Sequence, residues 1–150
     1  MNMETIKKYK ISFVLVLVIV AGAFFFFNRM YQNDMKALND FSASYEKFDK
    51  AISDFSANPT DDSKKKADDA LAELTAKANF RISSLIKHDP ELMSTAREVA
   101  DLSGRELEGL IAYKEAIQNK NADPDTLAKE YADLITERKA ARARFQSFAE

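Results

Sequence analysis

Residues 11–27 read ISFVLVLVIVAGAFFFF, an unbroken run with no charged residue and one hydroxyl, Ser12. A stretch of this kind has few places to go. As a helix it extends about 25 Å at 1.5 Å per residue, close to the roughly 30 Å hydrocarbon thickness of a bilayer. Its flanks lengthen it. Tyr9 and Tyr31 stand roughly 33 Å apart along a helix, where amphipathic rings suit the two membrane interfaces. The sequence therefore predicts a transmembrane signal-anchor helix over 11–27, preceded by a basic tail over 1–10.

Two other fates compete for the same run. A basic start, an apolar middle and Ala21-Gly22-Ala23 together fit a cleaved secretory signal. Cleavage there would leave a chain beginning Phe24-Phe25-Phe26-Phe27, an exposed aromatic end with no partner, so the retained anchor is the expectation. A buried core helix is the weakest alternative, because apolar residues surround the helix on all sides. Lys7, Lys8 and Lys10 precede the run and only Arg29 follows it closely. That asymmetry places the N-terminus inside and residues 28–150 outside, in the periplasm of a bacterial cell.

Beyond Phe27 the pattern becomes periodic. Leu38, Phe41, Tyr45, Phe48, Ile52 and Phe55 alternate spacings of three and four, an apolar stripe along one helix face. No glycine or proline lies between Ala23 and Asn58, so the membrane helix is expected to continue into this one as a rod of about 70 Å. Three prolines then divide the chain, at Asn58-Pro59, Asp89-Pro90 and Asp123-Pro124. An Asx side chain suits a helix N-cap and proline the first helical position. Asp61, Asp62, Glu91 and Asp125 crowd the following turns, where acids complement the helix dipole.

Each segment has its own stripe. The second carries Ala67, Leu71, Leu74, Ala78, Ile82 and Leu85. The third carries Leu92, Ala96, Val99, Leu107, Leu110, Tyr113 and Ile117. The fourth carries Leu127, Tyr131, Leu134, Ala141, Phe145 and Phe148. Four helices of similar length on short links predict an all-α fold, an antiparallel up-down four-helix bundle behind the anchor. Phe and Tyr in the first stripe favour a mixed bundle over a parallel coiled coil, whose seams prefer Leu, Ile and Val.

The chemistry is sparse. There is no cysteine, and His88 is the single histidine, so thiolate chemistry and a His cluster are excluded. His88 beside Asp89 reads as a helix C-terminal cap. A di-iron bundle repeats Glu-x-x-His, but Leu85 stands three before His88. Asp61/Asp62 and Asp68/Asp69 flank Lys64, Lys65 and Lys66 and read as a solvated, charge-balanced helix start. Ser83 and Ser84 lack an activating base. No catalytic residue, cofactor or metal is expected, and a net charge of -2 argues against a nucleic-acid partner.

Four features stand out from this background. Gly104 and Gly109 fall inside the third helix, at a cost of about 1 kcal/mol each relative to alanine, so each is expected to serve a close helix crossing or a ligand's approach, or to mark a kink. Arg138 interrupts the fourth stripe, and either snorkels, pairs with Glu106 or Glu108, or holds an anionic ligand. Phe80 lies off its stripe, as a second packing face or a partner contact. Arg138, Lys139, Arg142 and Arg144 form a basic end that either solvates the last turns or meets anionic lipid headgroups.

The expected function is a membrane-anchored, non-catalytic interaction or scaffold protein of a bacterial envelope. Its expected partners are the bilayer and either a protein partner or a further copy of itself. The alternative is a ligand-binding sensory bundle. It resembles the outer domain of bacterial chemoreceptors in layout and would work with a separate signalling subunit, with Arg138 and the Gly104 region as ligand sites.

Overall fold

The computed structural model describes the backbone of residues 3–83, 90–119 and 123–149, and the side chains of residues 15–83, 90–118 and 123–149. Four helices and no strand occur among the described residues: α1 (Met3–Ala57), α2 (Asp61–Ala78), α3 (Leu92–Asn119) and α4 (Pro124–Ala149). The chain divides into two compact units, Met1–Lys36 and Ala37–Glu150, and α1 contributes to both.

Among the described residues of the first unit, the apolar run is exposed. Leu15 to Val20 and Phe24 to Phe27 are between 49% and 73% exposed. Neighbouring rings touch only each other, with Phe24 edge-on to Phe25 and Phe26 to Phe27. The helix is long and apolar enough to cross a membrane by length and composition, with a mean hydropathy of 1.6 and none of the apolar window buried. A core helix would have that window buried, so the core-helix alternative is set aside. Tyr9, Lys7, Lys8 and Lys10 have side chains outside the described residues.

The second unit is a helical bundle. All six residues of the first stripe are buried, from Leu38 to Phe55. Burying a large apolar side chain stabilises by about 1.5–3 kcal/mol, so this stripe is a major source of cohesion. Neighbouring helices run antiparallel, as the pairings show. Along α1, Asp40 and Lys47 meet Lys77 and Glu73 of α2. Along α3, Glu98 and Glu106 meet Arg144 and Arg138 of α4. Along α1 again, Phe41 and Tyr45 meet Phe145 and Arg138.

The three proline junctions resolve differently. Pro59 and the restricted residue before it stop α1 at Ala57. The N-cap of α2 is Thr60, not Asn58: Thr60 and Ser63 form a reciprocal capping box, with Ser63 N donating to Thr60 Oγ1 at 3.1 Å and Thr60 N to Ser63 Oγ at 2.9 Å. Pro90 likewise precedes the helix rather than opening it, and α3 begins at Leu92. Only Asp123-Pro124 follows the expectation. Asp123 caps α4 by accepting from Asp125 N (3.1 Å) and Thr126 Oγ1 (2.6 Å), and Pro124 takes the first helical position.

The second helix is shorter than its stripe implied. It ends at Ala78 because Asn79 leaves helical geometry and donates from Nδ2 to Thr75 O at 3.0 Å. Ile82 therefore lies beyond the helix, and Leu85, Ser84, His88 and Asp89 fall outside the described residues. Within α2, Ala70 is buried and Leu71 only half so. Ile117, expected in the third stripe, is 50% exposed, whereas Ala116 beside it is buried.

Candidate functional site

Polar groups concentrate in the seam where α1, α3 and α4 meet. Arg138 is 2% exposed and sits among three polar partners and two rings. Its Nε donates to Glu106 Oε2 and its Nη2 reaches Glu106 Oε1 at 3.4 Å. Nη2 also donates to Asp49 Oδ1 and Nη1 to Tyr45 Oη, both at 2.7 Å. The guanidinium lies over Tyr45 and Phe48, its carbon 5.1 Å and 5.7 Å from their ring centres. A planar fork with its donors engaged and its faces on aromatic rings is what arginine provides and lysine does not.

The electrostatics follow from burial. Burial alone would depress Arg138, but Glu106, Asp49 and Tyr45 more than offset it and hold the guanidinium above its ordinary pKa. For Glu106, 2% exposed, burial dominates and raises the carboxyl, with Arg138 pulling it back. Burial also raises Tyr45. Within the cluster the Arg138, Glu106 and Tyr45 groups bond to one another, while the Asp49 side chain is half exposed to solvent.

Arg142, one turn on, is 9% exposed and lacks a carboxylate. Its guanidinium carbon stands 4.8 Å from the Tyr45 ring centre and 5.3 Å from that of Phe145, and its buried Nη1 has no hydrogen-bond partner. Desolvation accordingly lowers its pKa, with Tyr45 and Glu46 countering.

These placements sort the expected site residues. The pairing of Arg138 with Glu106 is the one found; Glu108 is exposed on the far side of α3. Arg138 and Arg142 are buried among rings. Arg144 hydrogen-bonds Glu98, and Lys139 remains exposed. Phe80 is half-buried, its ring 6.1 Å from Phe41, which gives it a packing contact on one side.

The two glycines part company. A Cβ on Gly109 would stand 3.2 Å from Leu134 Cδ1 and 3.9 Å from Tyr131, so Gly109 marks the close crossing of α3 with α4, beside the stacked rings of Tyr113 and Tyr131. A Cβ on Gly104 would meet only Leu71 Cδ2, at 3.9 Å, an ordinary contact. Packing does not require Gly104. It lines instead a furrow of about 600 Å³ between α2 and α3, with Leu71, Thr75, Ala78 and Asn79 on one wall and Arg97, Asp101, Arg105 and Glu108 along the other.

Sequence reading found Arg138 and Gly104 but missed Tyr45, Asp49 and Arg142 as polar partners, and the charged wall of the furrow. Tyr45 was legible as stripe and Glu106 as a candidate partner. Asp49 and Arg142 required knowing which turn of α1 faces which turn of α4. Among the described residues, no group of three His, Cys, Asp or Glu side chains is placed to hold a metal ion. Compared with protein families, curated proteins and solved structures, the chain matches none.

Proposed function

We propose that this chain is a membrane-anchored, non-catalytic interaction module of a bacterial envelope, its helical unit held outside the cytoplasmic membrane and its N-terminus inside. The observation that carries the reading is the contrast within α1: every large apolar residue from Leu15 to Val20 and Phe24 to Phe27 is exposed, while the stripe from Leu38 to Phe55 is buried. An exposed apolar surface of that extent is stable in lipid and not in water. Orientation is supported by Lys7, Lys8 and Lys10 ahead of the run against Arg29 after it. Retention is supported by the aromatic end that cleavage after Ala23 would create.

The test is fractionation of full-length protein with protease protection in intact spheroplasts. The reading expects membrane retention and digestion of the helical unit from outside. A soluble chain beginning at Phe24 would contradict the anchor, and full protection from protease would reverse the orientation.

The furrow around Gly104 supports a second reading, a ligand-binding sensory bundle, now without Arg138, whose guanidinium is engaged on three sides. Thermal-shift screening against amino acids and carboxylates tests it, since a ligand at 100 times its Kd stabilises by about 2.7 kcal/mol.

A further inference from the structure

Four charged residues share the outer face of α3: Arg97, Asp101, Arg105 and Glu108, all exposed. None takes part in the ion pairs formed among the described residues, unlike the charges of α2 and α4 nearby. Across the furrow, the α2 wall of Leu71, Thr75, Ala78 and Asn79 has no charge. The charges of α2 that flank it, Glu73 and Lys77, face the other way and pair with Lys47 and Asp40 of α1. The furrow thus has one neutral wall of small side chains and one wall whose sign alternates turn by turn.

That alternation has a symmetry. In the N-to-C direction the ridge reads plus, minus, plus, minus; reversed, it reads minus, plus, minus, plus. It is its own complement when two copies of α3 lie antiparallel. Arg97 then stands opposite Glu108 of the second copy, and Asp101 opposite Arg105 of the second copy, within one residue of a common register. A two-fold interface needs a surface that complements itself in this way. Gly104, half-buried, lies on the same face beside the symmetry point, with Ala100 buried beneath it. Helices approach to 8–10 Å according to the side chains at the contact, so small residues there permit the closest crossing. This gives Gly104 the role that packing within the chain does not.

We infer that the α2–α3 face is a homotypic docking surface, on which a second copy of this chain packs with its α3 antiparallel about Gly104. The inference deepens the interaction-module reading and rests on it. In a two-fold pairing each substitution counts twice, once per copy, and opposed like charges are strongly unfavourable.

The test is the dissociation constant of the full-length chain in detergent micelles, by sedimentation equilibrium, with helicity checked by circular dichroism. Asp101→Arg alone sets Arg against Arg, and Arg105→Asp alone sets Asp against Asp. Each is expected to weaken the dimer by at least about tenfold. The double variant Asp101→Arg/Arg105→Asp restores opposition of unlike charges and is expected to return to within about threefold of wild type. A chain monomeric throughout, single variants that pair like wild type, or a double variant left as weak as the singles would each overturn the inference. A monomer that still fractionates with membranes rejects the pairing and leaves the anchored module standing.

Discussion

The seam of α1, α3 and α4 and the face formed by α2 and α3 share one helix, α3, and are built on opposite principles. In the seam, large rings interleave with two arginines: Phe41 and Phe145 have centres 4.6 Å apart, and Arg138 makes hydrogen bonds to residues of two other helices. On the α2–α3 face the floor is alanine and glycine, the rim charges take part in no ion pair among the described residues, and a furrow remains open. In the seam the Arg138 guanidinium is engaged by Glu106, Asp49 and Tyr45; on the other face the rim charges stand exposed. The contrast teaches that the most conspicuous polar residue of a helical bundle can be its least available one.

The largest expected effect breaks the seam. Phe145→Ala removes a ring that is 1% exposed and is expected to cost about 3–5 kcal/mol by denaturant unfolding. Leu71→Ala, at the half-buried wall of the furrow, should cost clearly less in the same measurement. Comparable losses would erase the distinction between the two regions.

The glycines sharpen it. Within a single chain Gly104→Ala has room for its methyl and should stabilise the bundle by up to about 1 kcal/mol through helix propensity, while crowding the α3–α3 crossing of the inferred pair. Gly109→Ala must displace Leu134 and should gain less, read as the difference between the two melting temperatures. A larger gain at Gly109 would mean the α3–α4 crossing is looser than its geometry.

The smallest effect lies at neither region, and serves as a baseline. Asp123 is held below the ordinary carboxylate pKa by the Thr126 hydroxyl and the Asp125 amide. A depressed acid contributes stability above its unfolded pKa and loses it as pH falls through the folded value. Acid titration of the wild type should show that loss, and Asp123→Asn, which still caps the helix, should lack this contribution.

Much of this architecture was legible in advance. The six-residue stripe of α1 is buried throughout, because a spacing of three and four fixes one helix face regardless of partners. The Asp123 cap was readable for the same local reason. What failed was long-range or competitive. Thr60 displaced Asn58 because a capping box satisfies two donors at once, and Asn79 ended α2 while apolar spacing continued to Ile82. Arg138 was visible as an anomaly on its stripe, but its three partners lie 32 to 93 residues away in sequence, at distances only the packed helices define.

The central claim is that Arg138 holds the bundle together and that binding belongs to the other face. Unfolding free energies of Arg138→Met, Glu106→Leu and the double variant, measured on the full chain in detergent, test it directly. Arg138→Met strands the buried Glu106 and should cost about 3–5 kcal/mol, Glu106→Leu leaves Arg138 paired with Asp49 and should cost less, and the double change replaces the buried pair with apolar volume and should recover most of the Arg138→Met loss. Arg138→Met with undiminished stability would contradict the account and return Arg138 to the list of binding residues.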